Sequence, residues 1–311
     1  MTHEHQHETG RGESRRALAI TLALTASFTV VEVVGGLLTG SLALLADAGH
    51  LLSDNLSLGL ALFAAWLAGR PETPEKSFGY KRAEILAALA NGVTLVVISI
   101  WIFAEALSRL REPPEVLGGP MLAIAVLGLI VNLVGAVVLS RSGGESLNLQ
   151  GALRHVIADA LGSLGAIAAA LVIVLTGWRY ADLIASVAIA ALILASSWSL
   201  LRDSTNILLE AAPRNINTEE VGRKLVGAEG VVEIHDLHVW TITSGFPALS
   251  AHVLVGQSED CHARRRELED LLVREYGISH TTLQVDHVGD HESESHGPRF
   301  LPLGEKPPRA R

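Results

Sequence analysis

Along this chain the apolar residues fall into long blocks as far as residue 209 and into short alternating runs beyond it. Six blocks, over residues 17–38, 42–68, 82–109, 121–139, 149–176 and 180–201, reach or approach the roughly 20 residues a helix needs to cross a hydrocarbon core. Turn-formers and helix-breakers separate them. Thr39-Gly40-Ser41 follows the first block, a charged loop with Pro71 and Pro74 follows the second, and Pro113, Pro114 and Pro120 precede the fourth. From Pro213 the period changes. Thr218-Glu219-Glu220 leading into Val221, Leu225 and Val226 predicts a capped amphipathic helix. Residues 231–242 and 249–255 alternate as strands, residues 261–276 repeat as a charged amphipathic helix, and residues 278–288 predict a third strand. The expected fold class is an α-helical membrane protein, with six transmembrane helices followed by a small cytosolic α+β domain of α-β-β-α-β order. The expected divisions are a polar head over 1–16, a six-helix membrane domain over 17–209 and a cytosolic domain over 210–290. Residues 291–311 carry prolines, glycines and charges without a period and read as a disordered tail.

Composition narrows the picture. The 49% of hydrophobic residues would be high for a soluble protein, and their blockwise distribution decides the matter. The formal charge is −9, which argues against nucleic acid as a partner, and none is expected. The one cysteine, Cys261, cannot form an intrachain disulfide and fits a cytosolic setting. The polar head lacks the charged start and short apolar centre of a cleavable signal, so the first span is expected to remain.

Lys and Arg prefer the cytoplasmic side of short loops. Arg11, Arg15 and Arg16 precede the first span, and Arg70, Lys76, Lys81 and Arg82 lie between the second and third. Arg141 and Arg154 flank the turn between the fourth and fifth, and Arg202 follows the sixth, whereas the opposite loops hold only Arg109, Arg111 and Arg179. Both termini are therefore expected in the cytoplasm, with the chain a multi-pass protein of the inner (plasma) membrane.

The chemistry lies inside two spans. The second contains Asp47, His50 and Asp54, the fifth His155 and Asp159, and both carry His-x-x-x-Asp. Residues four apart on a helix lie about 40° apart around its axis, so each pair points one way. Placing Asp54 and Asp159 near helix centres costs about 5–7 kcal/mol together. A divalent cation offsets that cost, because two carboxylates cancel its charge and two neutral imidazoles complete a four-ligand shell. Two nitrogens with two oxygens suit zinc, whereas an all-oxygen site leans toward magnesium, calcium or manganese. The alternative is interhelical hydrogen bonding alone, which explains one pair more readily than a matched duplicate. Asp47 shares the face of His50 and reads either as a structural polar residue or as part of the site. Glu32, Asn91, Glu105, Asn132 and Asp182 read as packing, hydrogen-bonding or capping groups, with a water or proton path as the other option.

Of 13 histidines, only His50 and His155 lie in spans. His3, His5 and His7 alternate with Glu4 and Glu8 in the head, a tract suited to loose metal capture. In the C-terminal domain His235 and His238 share one strand, His252 lies on the next, His262 opens the helix, and His280 and His287 flank the last strand with Asp286. Strand alternation places His235 and Asp286 within reach of His252 if their strands are neighbours, so a second metal site is expected there, scattered surface histidines being the alternative.

These residues carry a resemblance. LADAGHLLSDN at residues 45–55, SFGYKRAEILAA at 77–88, HVIAD at 155–159, and HDLHVWTITSG at 235–245 followed by SAHV at 250–253 are similar to the motifs of the cation diffusion facilitator family of metal exporters, over nearly the whole chain. The resemblance implies a homodimer, a transport site of His50, Asp54, His155 and Asp159, and proton-coupled zinc export by alternating access. It also implies a cytosolic zinc site, regulatory rather than transporting, that uses His235, His252 and Asp286, with His262 as a further candidate. Some bacterial members hold a further metal on histidines after the second span; Lys76 and Tyr80 occupy those positions here, and no metal is expected in that loop. The family's pairing of a basic residue opening the third span with an acidic residue after the sixth falls on Arg82 and Glu210. An intramembrane hydrolase would need a motif such as His-Glu-x-x-His, which does not occur. A tethered metal sensor would leave the buried pairs without a purpose.

Overall fold

The computed structural model of the chain describes residues 4–141, 147–289 and 299–302, and divides into two units. Among these residues six helices are long and apolar enough to cross a membrane: α1 (Glu4–Thr39), α2 (Leu42–Ala68), α3 (Ala83–Arg109), α4 (Gly118–Arg141), α5 (Leu147–Thr176) and α6 (Tyr180–Leu208). α1 starts well before its apolar stretch, Ala19–Thr39, because no proline in the polar head stops a helix from growing into it. Of the head, residues 1–3, with His3, lie outside the described residues.

The membrane unit buries Leu42 and Leu44 of α2, Ile102 of α3, Met121 of α4, Ala166 and Ala170 of α5 and Ala190 of α6 in one cluster. Large apolar side chains such as Leu62, Leu192 and Trp198 point outward, as a lipid-facing surface requires. Small residues set the closest approaches. A Cβ at Gly128 of α4 would lie 2.8 Å from the Phe28 ring of α1, so only glycine lets these two helices meet there.

The second unit holds α7 (Thr218–Val226), β1 (Val231–Thr243), β2 (Phe246–Val255), α8 (Cys261–Tyr276) and β3 (His280–His287), in the expected order. β1 and β2 form an antiparallel hairpin, and β3 joins β2 in parallel after the α8 crossover. The residue capping α7 is Asn217, one position before the expected Thr218, and it accepts from the Glu219 N–H at 3.0 Å. Asp260 caps α8 by accepting from the backbone of His262 and Ala263, and Gly277, at φ 67°, ends it. Val221, Leu225, Ile234, Leu249, Val253, Leu268 and Leu272 form the core between helices and sheet.

The expected disorder after Asp290 does not extend to residues 299–302. Phe300 exchanges two backbone hydrogen bonds with Ile234 of β1, at 2.8 and 3.0 Å, and its ring packs over Gly222 of α7. One aromatic anchor and one bridge fix this segment without any sequence period. Residues 290–298 and 303–311 lie outside the described residues. The loop between α2 and α3 groups with this unit, as does the end of α6. Arg82 there reaches Glu210 at 3.0 Å, and the Lys76 ammonium lies 3.9 Å from the Tyr80 ring.

Candidate metal centre

α2 and α5 bring their two His-x-x-x-Asp pairs together. Within α2, His50 Nδ1 lies 3.5 Å from Asp54 Oδ2, and within α5, His155 Nε2 lies 3.6 Å from Asp159 Oδ2. Across the helices, His50 Nε2 lies 3.7 Å from Asp159 Oδ1, and His155 Nε2 lies 3.2 Å from Asp54 Oδ2. One ligand atom from each residue can be chosen so that all four fall within 4.8 Å of one another. A tetrahedral zinc with bonds of about 2.0–2.1 Å needs neighbouring donors about 3.3 Å apart, so these side chains need only close slightly on an ion. His50 Nδ1 and Asp159 Oδ1 are buried and make no hydrogen bond among the described residues, an arrangement that costs free energy unless a cation joins them.

Neighbouring polar contacts hold α2 in place around Asp54. Ser53 donates to Asn91 Oδ1 of α3 at 2.7 Å, and Asn55 donates to Thr29 Oγ1 of α1 at 3.1 Å. The residues on either side of the ligand thus tie it to two other helices. Asp47 and Glu32 are both buried. A Cβ at Gly162 of α5 would lie 3.2 Å from Asp47 Oδ1, so a small residue on α5 admits that carboxylate. Exposure falls from 45% at the His155 side chain to 3% at Asp159 one turn further along α5, so the site is more open toward the start of that helix.

In the C-terminal domain His235 and His252 are register partners on β1 and β2, with ring centroids 5.3 Å apart. The third member of that group is Asp236 rather than Asp286. Simple alternation would turn Asp236 away from His235, but β1 is irregular between His235 and His238, and Asp236 adopts φ 50°. The bulge swings its carboxylate to 3.9 Å from His252 Nδ1. Asp286 stands opposite Leu254, two residues beyond Gln284, and accepts from Gln284 Nε2 at 2.8 Å. His262 is exposed on the first turn of α8, and the His287 ring lies 3.5 Å from Cys261 Sγ. Burial pushes the His235 imidazole below its ordinary pKa, opposed by Glu233 at 3.4 Å, and so favours the neutral form that binds metal.

Comparison with known proteins gives these groups a context. Residues 18–209 match the family model of the cation efflux transmembrane domain, and residues 213–288 match that of the cation efflux protein cytoplasmic domain. A cadmium, cobalt and zinc/H(+)-K(+) antiporter of Bacillus subtilis is 44% identical, over 90% of this chain and 91% of the relative. The metal cation efflux system protein CzcD of Cupriavidus metallidurans is 41% identical over 91% of this chain and 89% of its own. The zinc transporter ZitB of Escherichia coli is 42% identical over 95% and 96% respectively. With matches covering both units, and with two His-Asp pairs converging between the spans, the chain belongs to the cation diffusion facilitator family and is a multi-pass membrane protein of divalent metal cation efflux.

Proposed function

We propose that the protein exports zinc from the cytoplasm in exchange for protons, by alternating access through His50, Asp54, His155 and Asp159. The observation that carries this reading is the meeting of two His-x-x-x-Asp pairs from separate spans at donor spacings that suit a tetrahedral ion. Zinc is the substrate, held in a neutral complex by two carboxylates and two imidazoles. When it leaves, the two carboxylates need replacement charge in a medium of low dielectric, and protons on the four ligands are the least costly source. The names of the relatives, a zinc transporter and a zinc/H(+)-K(+) antiporter among them, support both halves of the exchange. The reading takes the protein as a homodimer in the inner membrane with both termini cytoplasmic, an orientation that the distribution of Lys and Arg among the loops supports.

The C-terminal domain has a separate role in this proposal. His235, His252 and Asp236 bind a regulatory zinc on the cytosolic side, and Asp286 and His262, outside that convergent group, are the candidates to complete its shell.

The membrane site is tested by replacing Asp54 or Asp159 with alanine. Each change removes a ligand and one of two compensating charges, so zinc uptake into vesicles of purified protein falls to background while the variant still elutes as the folded dimer. Near-normal flux in either variant would overturn the assignment.

A further inference from the structure

Asp182, in the first turn of α6, is fully buried and lies outside the convergent group of the four proposed ligands. Its carboxylate is directed at the start of α2. Ser41 Oγ donates to Asp182 Oδ1 at 2.6 Å, the Leu42 N–H donates to Oδ2 at 2.8 Å, and the Ala43 N–H donates to Oδ1 at 3.2 Å. Ser41 Oγ meanwhile accepts from the Leu44 N–H at 3.2 Å as a local cap. Every residue from Ser41 to Leu44 is fully buried. Without water to take the free N–H groups of a helix start, they must find protein acceptors, and here two of the four, those of Leu42 and Ala43, go to a residue some 140 positions away in sequence, while those of Ser41 and Leu44 are taken locally by Thr39 and Ser41. The positive end of the α2 dipole faces the carboxylate and stabilises its charge.

On the other side of the same turn, Arg109 of α3 donates from Nη1 to the Gly40 carbonyl at 2.9 Å, and is itself held by Glu105 at 2.8 Å. The α1–α2 turn is therefore gripped from α6 and from α3. From Leu42 to His50 is about 12 Å along the helix axis, so a shift or rotation at this end moves His50 and Asp54 directly.

We propose that Asp182 is a positioning residue of the transport site: it fixes the depth and rotation of α2 against α6, and thereby where His50 and Asp54 present their ligand atoms. This rests on the transport-site reading given above. A helix cap alone would stabilise α2 whatever element supplied it, whereas a tether between α2 and α6 must come from α6.

Two variants separate those roles. Asp182→Asn puts an amide where three donors converge. It is expected to raise the KM for zinc at least tenfold with a smaller change in the maximal rate. Ser41→Asp combined with Asp182→Asn returns a capping carboxylate to the start of α2 from within its own chain. It is expected to recover the melting temperature of the purified protein but not the zinc KM, nor the parent ratio of zinc to cadmium transport. If the double variant regains parental KM and ion preference, or if Asp182→Asn keeps them, the tether is refuted. Should Asp182→Asn alone fail to fold, the double variant is read by itself on the same criteria. Asp54→Ala, run alongside, separates the two proposals. Transport surviving in Asp54→Ala sinks the site, whereas transport lost there but parental in Asp182→Asn sinks only the tether.

Discussion

Among individual residues, those most legible in the sequence were the ones whose chemistry conflicts with their surroundings. His50, Asp54, His155 and Asp159 stand out because charged groups in apolar blocks are costly, and because the i,i+4 spacing occurs twice. Asp236 was not legible: strand alternation hides it, and only the bulge with its left-handed backbone brings the carboxylate to His252. The partner of Asp182 was equally hidden, since no local pattern tells a carboxylate that it will cap a helix from another span. The role of His50 is open to a direct check. His50→Asp replaces an imidazole with a third carboxylate, which makes the shell harder and more anionic and favours ions that prefer oxygen. The manganese-to-zinc transport ratio is expected to rise severalfold in a competition assay with both ions. An unaltered ratio would remove His50 from the shell.

At the level of elements, periodicity carried most of the information. Six apolar blocks became six helices, and the two-residue and 3.6-residue periods of the C-terminal third became its strands and helices, with ends displaced by a few residues. β2 starts at Phe246, three residues earlier than its alternation suggests, because Thr243 pairs with Phe246 across the hairpin despite Pro247. The segment at residues 299–302 shows what periodicity cannot reveal. A single bridge to Ile234 and one ring over Gly222 leave no repeating trace, yet they add an aromatic side chain to the domain core. Phe300→Ala is accordingly expected to lower the stability of the C-terminal domain by about 1–3 kcal/mol, less than full burial of the ring would imply. Denaturant unfolding of a fragment from Pro213 through Pro302 measures this. A fragment ending at Asp290 should show the same loss, and equal midpoints for the long and short fragments would make the Phe300 contact energetically idle.

For the molecule as a whole, the function proposed above gives its two groups of candidate ligands different tasks, transport in one unit and regulation in the other. If the C-terminal group only regulates, His235→Ala with His252→Ala should abolish the zinc-induced rise in melting temperature of that domain yet leave residual zinc flux in the full-length protein. An unchanged thermal response would place the regulatory zinc elsewhere. This response also depends on pH. Folding holds the His235 pKa below its unfolded value, so the stability it permits is present above the unfolded pKa, and is lost as pH falls below it while the unfolded chain gains protons. Zinc stabilisation of the domain should therefore fade below about pH 6, as its histidines take up protons in place of metal. In the proposed transport cycle, protons act on the empty membrane site instead. In that proposal, release of zinc on the far side leaves Asp54 and Asp159 without a compensating cation in a group whose four ligand atoms lie within 4.8 Å of one another. Protons arriving from that side would then relieve the repulsion and let the empty carrier return. A lower pH on the release side should therefore speed zinc export, and collapsing the gradient with a protonophore should slow it. The same imposed gradient should do nothing in Asp54→Ala, which separates coupling through the site from a general effect of pH on the vesicles. If zinc flux in the parent protein is the same with and without the gradient, proton exchange is not what resets the site.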